Sequence, residues 1–287
     1  MKCPPFDYHR ATGVADAVAT LDAAGDEGKI LAGGQSLVPV LALRMARPAV
    51  LVDINHVPGL SGLEMRGDTL HLGALVRHLT LAEQDQHPLL AEAARWIGHT
   101  AIRSRGTVAG SLAHADPSAE LPSVLLACDG AVQVAGPGAT RRVGAADLFV
   151  GALQTDLGDA EMITEVELPV PDGWGFSEFA RRHGDFAIVS AVATRFGDRI
   201  RVVVGGVAGV PHLVSPPDST PDLLTVSGAV EDDRVAEIAD AAARGVEPAS
   251  DLHGSADHRR ALTREVVRRA LAQLAGTPTS VRTPVPA

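Results

Sequence analysis

Cysteine is nearly absent from this sequence: Cys3 and Cys128 are the only two, far apart and in no CxxC pair. Zinc ribbons and iron–sulfur clusters held by this chain alone are thereby excluded, because each needs several thiolate or imidazole ligands gathered at one point. Aromatic residues make up only 3%, so the core must be filled by Ala, Val and Leu. No Lys/Arg run of the kind that tracks a phosphate backbone is present, and the formal charge is −10. Nucleic acid is therefore not the expected partner. No apolar run reaches the ~18 residues that a membrane helix needs. The N-terminal MKCPPFDYHR lacks the basic-then-apolar order of a signal peptide, so a cytoplasmic protein is expected. Walker, GxGxxG and HExxH motifs are all missing, and His99 and His114 fall into no metal-binding pattern.

What is present suits a folded α/β chain. Hydrophobic residues at 46% and charged residues at 21% match soluble globular proteins rather than disordered ones. Thr12 is placed to cap a helix carrying Val14, Val18 and Leu21, with Gly25 to end it. Strands are expected at Lys29–Ala32 and Ala49–Ile54, flanking a helix from Leu37 to about Met45 with Ser36 as its N-cap. Leu63–Met65 and Leu70–Gly73 read as strands joined at Gly67-Asp68. Thr80 and Glu83 have capping-box spacing, and Pro88 fits the first turn of the helix bearing Leu89, Ala93 and Ile97. Further strands are expected at Ala131–Ala135, Thr140–Val143 and Met162–Leu168. After a linker at Pro169–Gly173 come a hairpin, Ala187–Phe196 with Arg199–Val204, and helices near Arg234–Arg244 and His258–Leu274. Ser215–Thr220 reads as an exposed proline-rich loop.

Two glycine segments carry the chemistry. In Ala32-Gly33-Gly34-Gln35-Ser36-Leu37 a strand-to-helix turn presents backbone amides, which bind anions without needing net positive charge. Thr107-Val-Ala-Gly110-Ser111 leads through Ala115 and Asp116 to Glu120, offering hydroxyls and carboxylates that accept from ribose hydroxyls. Taken singly, the first reads rather as a tight turn without a ligand, and Asp116-Pro117 as an ordinary N-cap with proline at N1. Together, two such loops in two α/β subdomains suit a long ligand with a pyrophosphate at its middle.

The strings Ala32–Pro48 and Thr107–Pro122 resemble the two FAD loops of the carbon monoxide dehydrogenase medium-subunit family, itself similar to xanthine dehydrogenase flavin domains. Arg182-His-Gly-Asp-Phe186-Ala-Ile-Val-Ser190 resembles a third family segment. The resemblance implies an α+β fold: a two-subdomain FAD-binding fold of the vanillyl-alcohol-oxidase type, then a C-terminal domain of sheet plus helices. The expected domains are 1–172, with subdomains about 1–56 and 57–172, and 173–287. It implies non-covalent FAD, with pyrophosphate held by Gly33, Gly34, Gln35 and Ser36 on one side and Thr107, Gly110 and Ser111 on the other. Asp116 and Glu120 would lie near hydroxyls of the cofactor. Phe186 would lie near the isoalloxazine or be a core aromatic of the hairpin. Glu178 stands where several relatives carry a flavin-contacting lysine, and Ala109 where many have glycine. It also implies partners: a small subunit with two 2Fe–2S clusters and a large molybdopterin subunit, with this chain passing their electrons to an external acceptor. A stand-alone FAD oxidase and a non-enzymatic nucleotide-binding protein are the alternatives.

Overall fold

The computed structural model describes residues 2–215, 224 and 230–276. The chain begins with β1 (Asp7–Arg10), α1 (Val14–Ala24), β2 (Gly28–Leu31), α2 (Leu37–Ala42) and β3 (Val50–Asp53). These strands form a parallel sheet in the order β1-β3-β2. Next come β4 (Leu63–Arg66), β5 (Thr69–Gly73), α3 (His78–Glu83), α4 (Pro88–Trp96), α5 (Thr100–Arg103), α6 (Val108–His114) and α7 (Glu120–Ala127). They are followed by β6 (Ala131–Gly136), β7 (Ala139–Gly144), α8 (Ala145–Leu148), β8 (Phe149–Gly151), β9 (Gln154–Thr155) and β10 (Met162–Pro169). An antiparallel sheet of order β4-β5-β10-β6-β7 is the second layer. The last segment holds β11 (Gly173–Phe179), β12 (Val189–Phe196), β13 (Arg199–Gly205), β14 (His212–Leu213), α9 (Asp232–Gly245) and α10 (Ala256–Gly276). Its four strands pair in sequence order.

This α+β architecture puts the third sheet between two layers of helix. Phe176, Val192 and Val203 point into the core shared with α7. Val189, Ala191, Ala193, Val202 and Val204 point the other way, into a second core with Ile238 of α9 and Leu271 of α10. A sheet covered on both faces reads as continuous hydrophobic sequence, as β12 and β13 do. The helix–sheet contact is close at Gly175, where an added Cβ would lie 1.9 Å from the Ala270 carbonyl oxygen.

Several local expectations need correction. α1 has Gly13 at its N-cap position with no side-chain cap; Thr12 instead donates, through its amide and its hydroxyl, to the Asp16 carboxylate. Ser36 makes no cap bond, and α2 stops at Ala42 because Arg44 turns into the left-handed region at φ 60°. Thr80 and Glu83 lie inside α3 rather than capping it. Pro88 does open α4, and the cap there is the ring of His87, whose Nδ1 accepts the Leu90 amide at 3.2 Å. The β1 and β11 strands were not anticipated: β1 is short and polar, and β11 begins at the glycine assigned to a linker. The Ser215–Thr220 loop lies, from residue 216 on, outside the described residues.

Candidate functional site

Both glycine segments line one cavity of about 610 Å³. They meet where Gly33 packs on the backbone just before the second segment: a Cβ there would lie 2.3 Å from the Arg105 carbonyl oxygen and 2.9 Å from Gly106 Cα, and a Cβ on Gly110 would lie 2.6 Å from the capping Thr107 Oγ1. Gly34 takes a left-handed φ of 72°, which turns the chain from β2 into α2. Of the residues named from sequence, Ala32, Gly33, Gly34, Gln35, Ser36, Leu37, Thr107, Gly110, Ser111, Asp116, Glu120 and Phe186 all line the cavity. Ala115 does not. It is a buried left-handed residue ending α6, and its carbonyl accepts the Leu153 amide.

The two segments differ in what they can offer. The amides of Gly33, Gly34, Gln35 and Ser36 donate to no protein acceptor among the described residues, which leaves a cluster of free donors fit for an anion. At the start of α6 the amides are already used. Val108 donates to Val76, Ala109 to Ala74, Gly110 to Thr107 Oγ1 at 3.2 Å and Ser111 to the Thr107 carbonyl. The second segment therefore contributes close backbone approach at Gly110 and the Ser111 side chain, while Thr107 is a helix cap. Asp116 does not cap α7: its Oδ1 accepts the Ser118 amide at 2.9 Å in a turn, and Ala119 occupies the N-cap position. An array of free amides, an apolar wall including Ile54, Met162 and Ile163, and acidic groups further along fit a molecule combining phosphates, aromatic rings and hydroxyls.

A polar network that the sequence did not reveal joins the loops. Asn55 Nδ2 donates to the Ala32 carbonyl at 2.8 Å, Arg77 Nη2 donates to Asn55 Oδ1, and Arg77 Nη1 donates to the Arg105 carbonyl at 2.6 Å. Asp53 holds Asn55 and is itself bonded by the Tyr8 hydroxyl. Burial, then the nearby Arg105 charge, lowers the Arg77 pKa. His78, also on the cavity wall, bonds the Thr107 carbonyl through Nε2 at 3.0 Å. Burial drops its pKa to about 4, so the ring is neutral. Lys29, one of two lysines in the chain, reaches the cavity from β2. A lone Lys in a strand carries no sequence signal, and Asn55 and Arg77 become partners only when the first two sheets pack.

At the other end, Phe186 is 68% exposed at the cavity mouth, which rules out the core-aromatic reading. It precedes β12 rather than lying within the hairpin. Glu120 begins α7, buried, with its carboxyl pushed up to about 7 chiefly by desolvation. Glu178 is not on the cavity wall; it is buried on β11.

Residues 4–171 match the family described as "FAD binding domain in molybdopterin dehydrogenase", and residues 174–274 match "CO dehydrogenase flavoprotein C-terminal domain". The chain is 41% identical to the nicotine 6-hydroxylase medium subunit of Paenarthrobacter nicotinovorans, over 95% of this chain and 98% of that subunit. It is 35% identical to the carbon monoxide dehydrogenase medium chain of Hydrogenophaga pseudoflava, over 93% and 96% of the two chains. Among solved structures, a chain of quinoline 2-oxidoreductase from Pseudomonas putida 86 superposes with a TM-score of 0.89 at 34% identity, covering 96% of this chain and 99% of that one.

Proposed function

The chain belongs to the family of FAD-binding medium subunits of molybdenum hydroxylases, and from that premise we propose how it divides labour with its partners. It is an FAD-carrying subunit of an oxidoreductase complex, and the readings as a stand-alone oxidase or a non-enzymatic nucleotide-binding protein fall away. The small iron–sulfur subunit and the large molybdopterin subunit are the proposed partners. Electrons from substrate oxidation reach the flavin through 2Fe–2S clusters of the small subunit and leave to an external acceptor.

The observation that carries this reading is the meeting of the two glycine loops at a cavity of cofactor size. FAD supplies the redox chemistry, accepting electrons and passing them on. Gly33, Gly34, Gln35 and Ser36 would hold its pyrophosphate with their free amides. Ser111 would add a side-chain contact, Lys29 would add positive charge, and Asp116 and Glu120 would accept hydroxyl hydrogen bonds. The proposed division is an FAD-binding domain of 1–172 and a C-terminal domain of 173–287; the β11–β14 sheet, separate from the three sheets before it, supports a boundary near residue 173. The cytoplasm is the proposed location, a reducing compartment suited to two free thiols. No helix among the described residues is long and apolar enough to cross a membrane.

The relatives are named for substrates as different as nicotine, caffeine, glyceraldehyde and carbon monoxide, as expected of a subunit that never meets the organic substrate. Anaerobic flavin reduction followed by absorbance tests the division. The isolated chain should stay oxidised when substrate is added, and should bleach once both other subunits are present. Rapid bleaching of the isolated chain would overturn it.

A further inference from the structure

Two buried carboxyl groups run from the cofactor cavity, which Glu120 lines, to the C-terminal sheet, where Glu178 sits on β11, and nothing in the binding of FAD requires the second. Cross-strand register sets Glu178 of β11 opposite Ser190 of β12, and Ser190 opposite Gly205 of β13. The residue two before Glu178 is Phe176, which faces the core shared with α7; the period of two puts Glu178 on that face as well. From α7, Glu120 and Ser123, one turn apart, face this row. A Cβ on Gly205 would lie 2.8 Å from Ser123 Oγ and 2.6 Å from Ser190 Oγ.

The row is buried and under-bonded. Glu120 and Glu178 are 6% and 7% exposed. Among the described residues neither carboxyl oxygen of Glu178 has a hydrogen-bond partner, and Ser123 Oγ has none either. An ionised carboxylate without donors in such a place is costly, so the group is held as the acid. Burial, reinforced by the Glu120 charge, pushes Glu178 up to about 9, and burial, opposed by its own amide and aided by Asp116, pushes Glu120 up to about 7.

Other ionisable groups on the surrounding elements do not neutralise the pair. Arg201 of β13 is committed to the Leu126 carbonyl and Asp129, and Arg259 of α10 to the carbonyls of Ile188 and Gly206 and to Asp251. Glu92 and Arg95 of α4 pair with each other, and His87 there is kept neutral by burial. Arg195 of β12 stands opposite Gly173 and Ile200, five residues along the strand from Ser190. His114 of α6 lines the cavity, Asp147 of α8 is exposed and His212 of β14 is half-buried. The charges that raise the pair are acidic: Asp116 acts on Glu120, and Glu120 on Glu178.

We propose that Glu120 and Glu178 form a proton-accepting carboxyl pair that takes up one proton from solvent when the FAD in the adjoining cavity is reduced. The inference rests on the reading that this cavity holds FAD. The balance is simple. Two electrons and one proton arriving at the isoalloxazine leave one added negative charge. That charge acts through a low-dielectric wall and raises the proton affinity of Glu120, which lines the cavity. One O–H bond forms on the pair, the proton comes from water, and no other bond changes. Glu178 holds the second proton and keeps the pair from carrying two charges.

The FAD-loaded chain is titrated anaerobically with a chemical reductant across the interval from about 7 to about 9 set by the two groups, and protons taken up are counted per bound flavin. The expected result is up to two protons per two electrons in the native chain, and one proton fewer in the Glu120→Gln/Glu178→Gln double variant. Difference infrared spectroscopy of the native chain supplies a readout that needs no variant: reduction should add the C=O band of a protonated carboxyl. Equal proton counts in native and variant chains, or no carboxyl band on reduction, would overturn the proposal. Failure of the native chain to bind FAD would show before any reductant is added, and would remove the cofactor reading together with this one.

Discussion

Arg77 Nη2 donates to Asn55 Oδ1 at 2.8 Å, and through this one bond the two glycine loops are tied to each other. Asn55 holds the carbonyl of Ala32 and Arg77 holds the carbonyl of Arg105, the same carbonyl against which Gly33 packs. The geometry of the free amides thus depends on two side chains that point at the loops from behind.

Removing that tie should loosen the cofactor. Arg77→Ala leaves the Arg105 carbonyl and Asn55 Oδ1 without their donor, a loss of about 1–3 kcal/mol, or roughly 5- to 150-fold in affinity. Arg77→Lys should not rescue it, because a single ammonium cannot reproduce a planar fork spanning two acceptors. Titration of the apo chain with FAD, followed by fluorescence quenching, measures this. Native affinity in Arg77→Ala would show that the loops hold their shape unaided.

The glycines should respond in a different order from the hydroxyls. Gly33→Ala puts a methyl 2.3 Å from a backbone oxygen, so the loops must separate and flavin should be lost. Gly34→Val adds strain at φ 72° and crowds Val38, where a Cβ already meets Cγ2 at 3.1 Å. Ser111→Ala removes one hydrogen bond and should cost about 0.5–1.5 kcal/mol. Flavin content per chain ranks the three, and full occupancy in Gly33→Ala would remove the first loop from the site.

Stability should fall as pH rises above neutrality. Glu120 and Glu178 have folded values of about 7 and about 9 against an ordinary 4.5, so the native chain holds more protons than the unfolded one above 4.5. Their contribution is complete below 4.5 and is lost as pH climbs through the folded values. His78 and His87, lowered to about 4 from 6.5, act with the opposite sign, but only below 6.5. Between about 7 and about 9 Glu178 therefore dominates, with a slope of up to about 1.4 kcal/mol per pH unit. Urea unfolding of the apo chain should show that decline, and Glu178→Gln should flatten it. An unchanged slope in the variant would falsify the assignment.

FAD should leave the protein on acid precipitation. Among the described residues the cavity wall contains no cysteine, and of its two histidines His78 is held against the Thr107 carbonyl, which leaves His114 as the one ring to check for attachment. The absorption spectrum of the supernatant decides the matter; flavin retained in the pellet would mean a covalent attachment.

Elements whose signals are local were legible along the chain. The helix at Val14–Ala24, the Gly67-Asp68 turn and the β12–β13 hairpin follow from periodicity and turn chemistry within a few residues. The glycine strings pointed to two segments that line one cavity, because a backbone that must come close to another group leaves glycine in the sequence. Tertiary structure alone decided which amides stay free. Those of Gly33–Ser36 are unspent because α2 starts beyond them, whereas those of Val108 and Ala109 are consumed by the carbonyls of Val76 and Ala74. It also decided that Phe186 lies exposed at the mouth, that Asn55 and Arg77 brace the loops, and that Glu178 meets Glu120. Each of these joins residues from separate sheets or from a sheet and a helix, and hydrogen bonding and desolvation act across space, so no pattern along the chain records them.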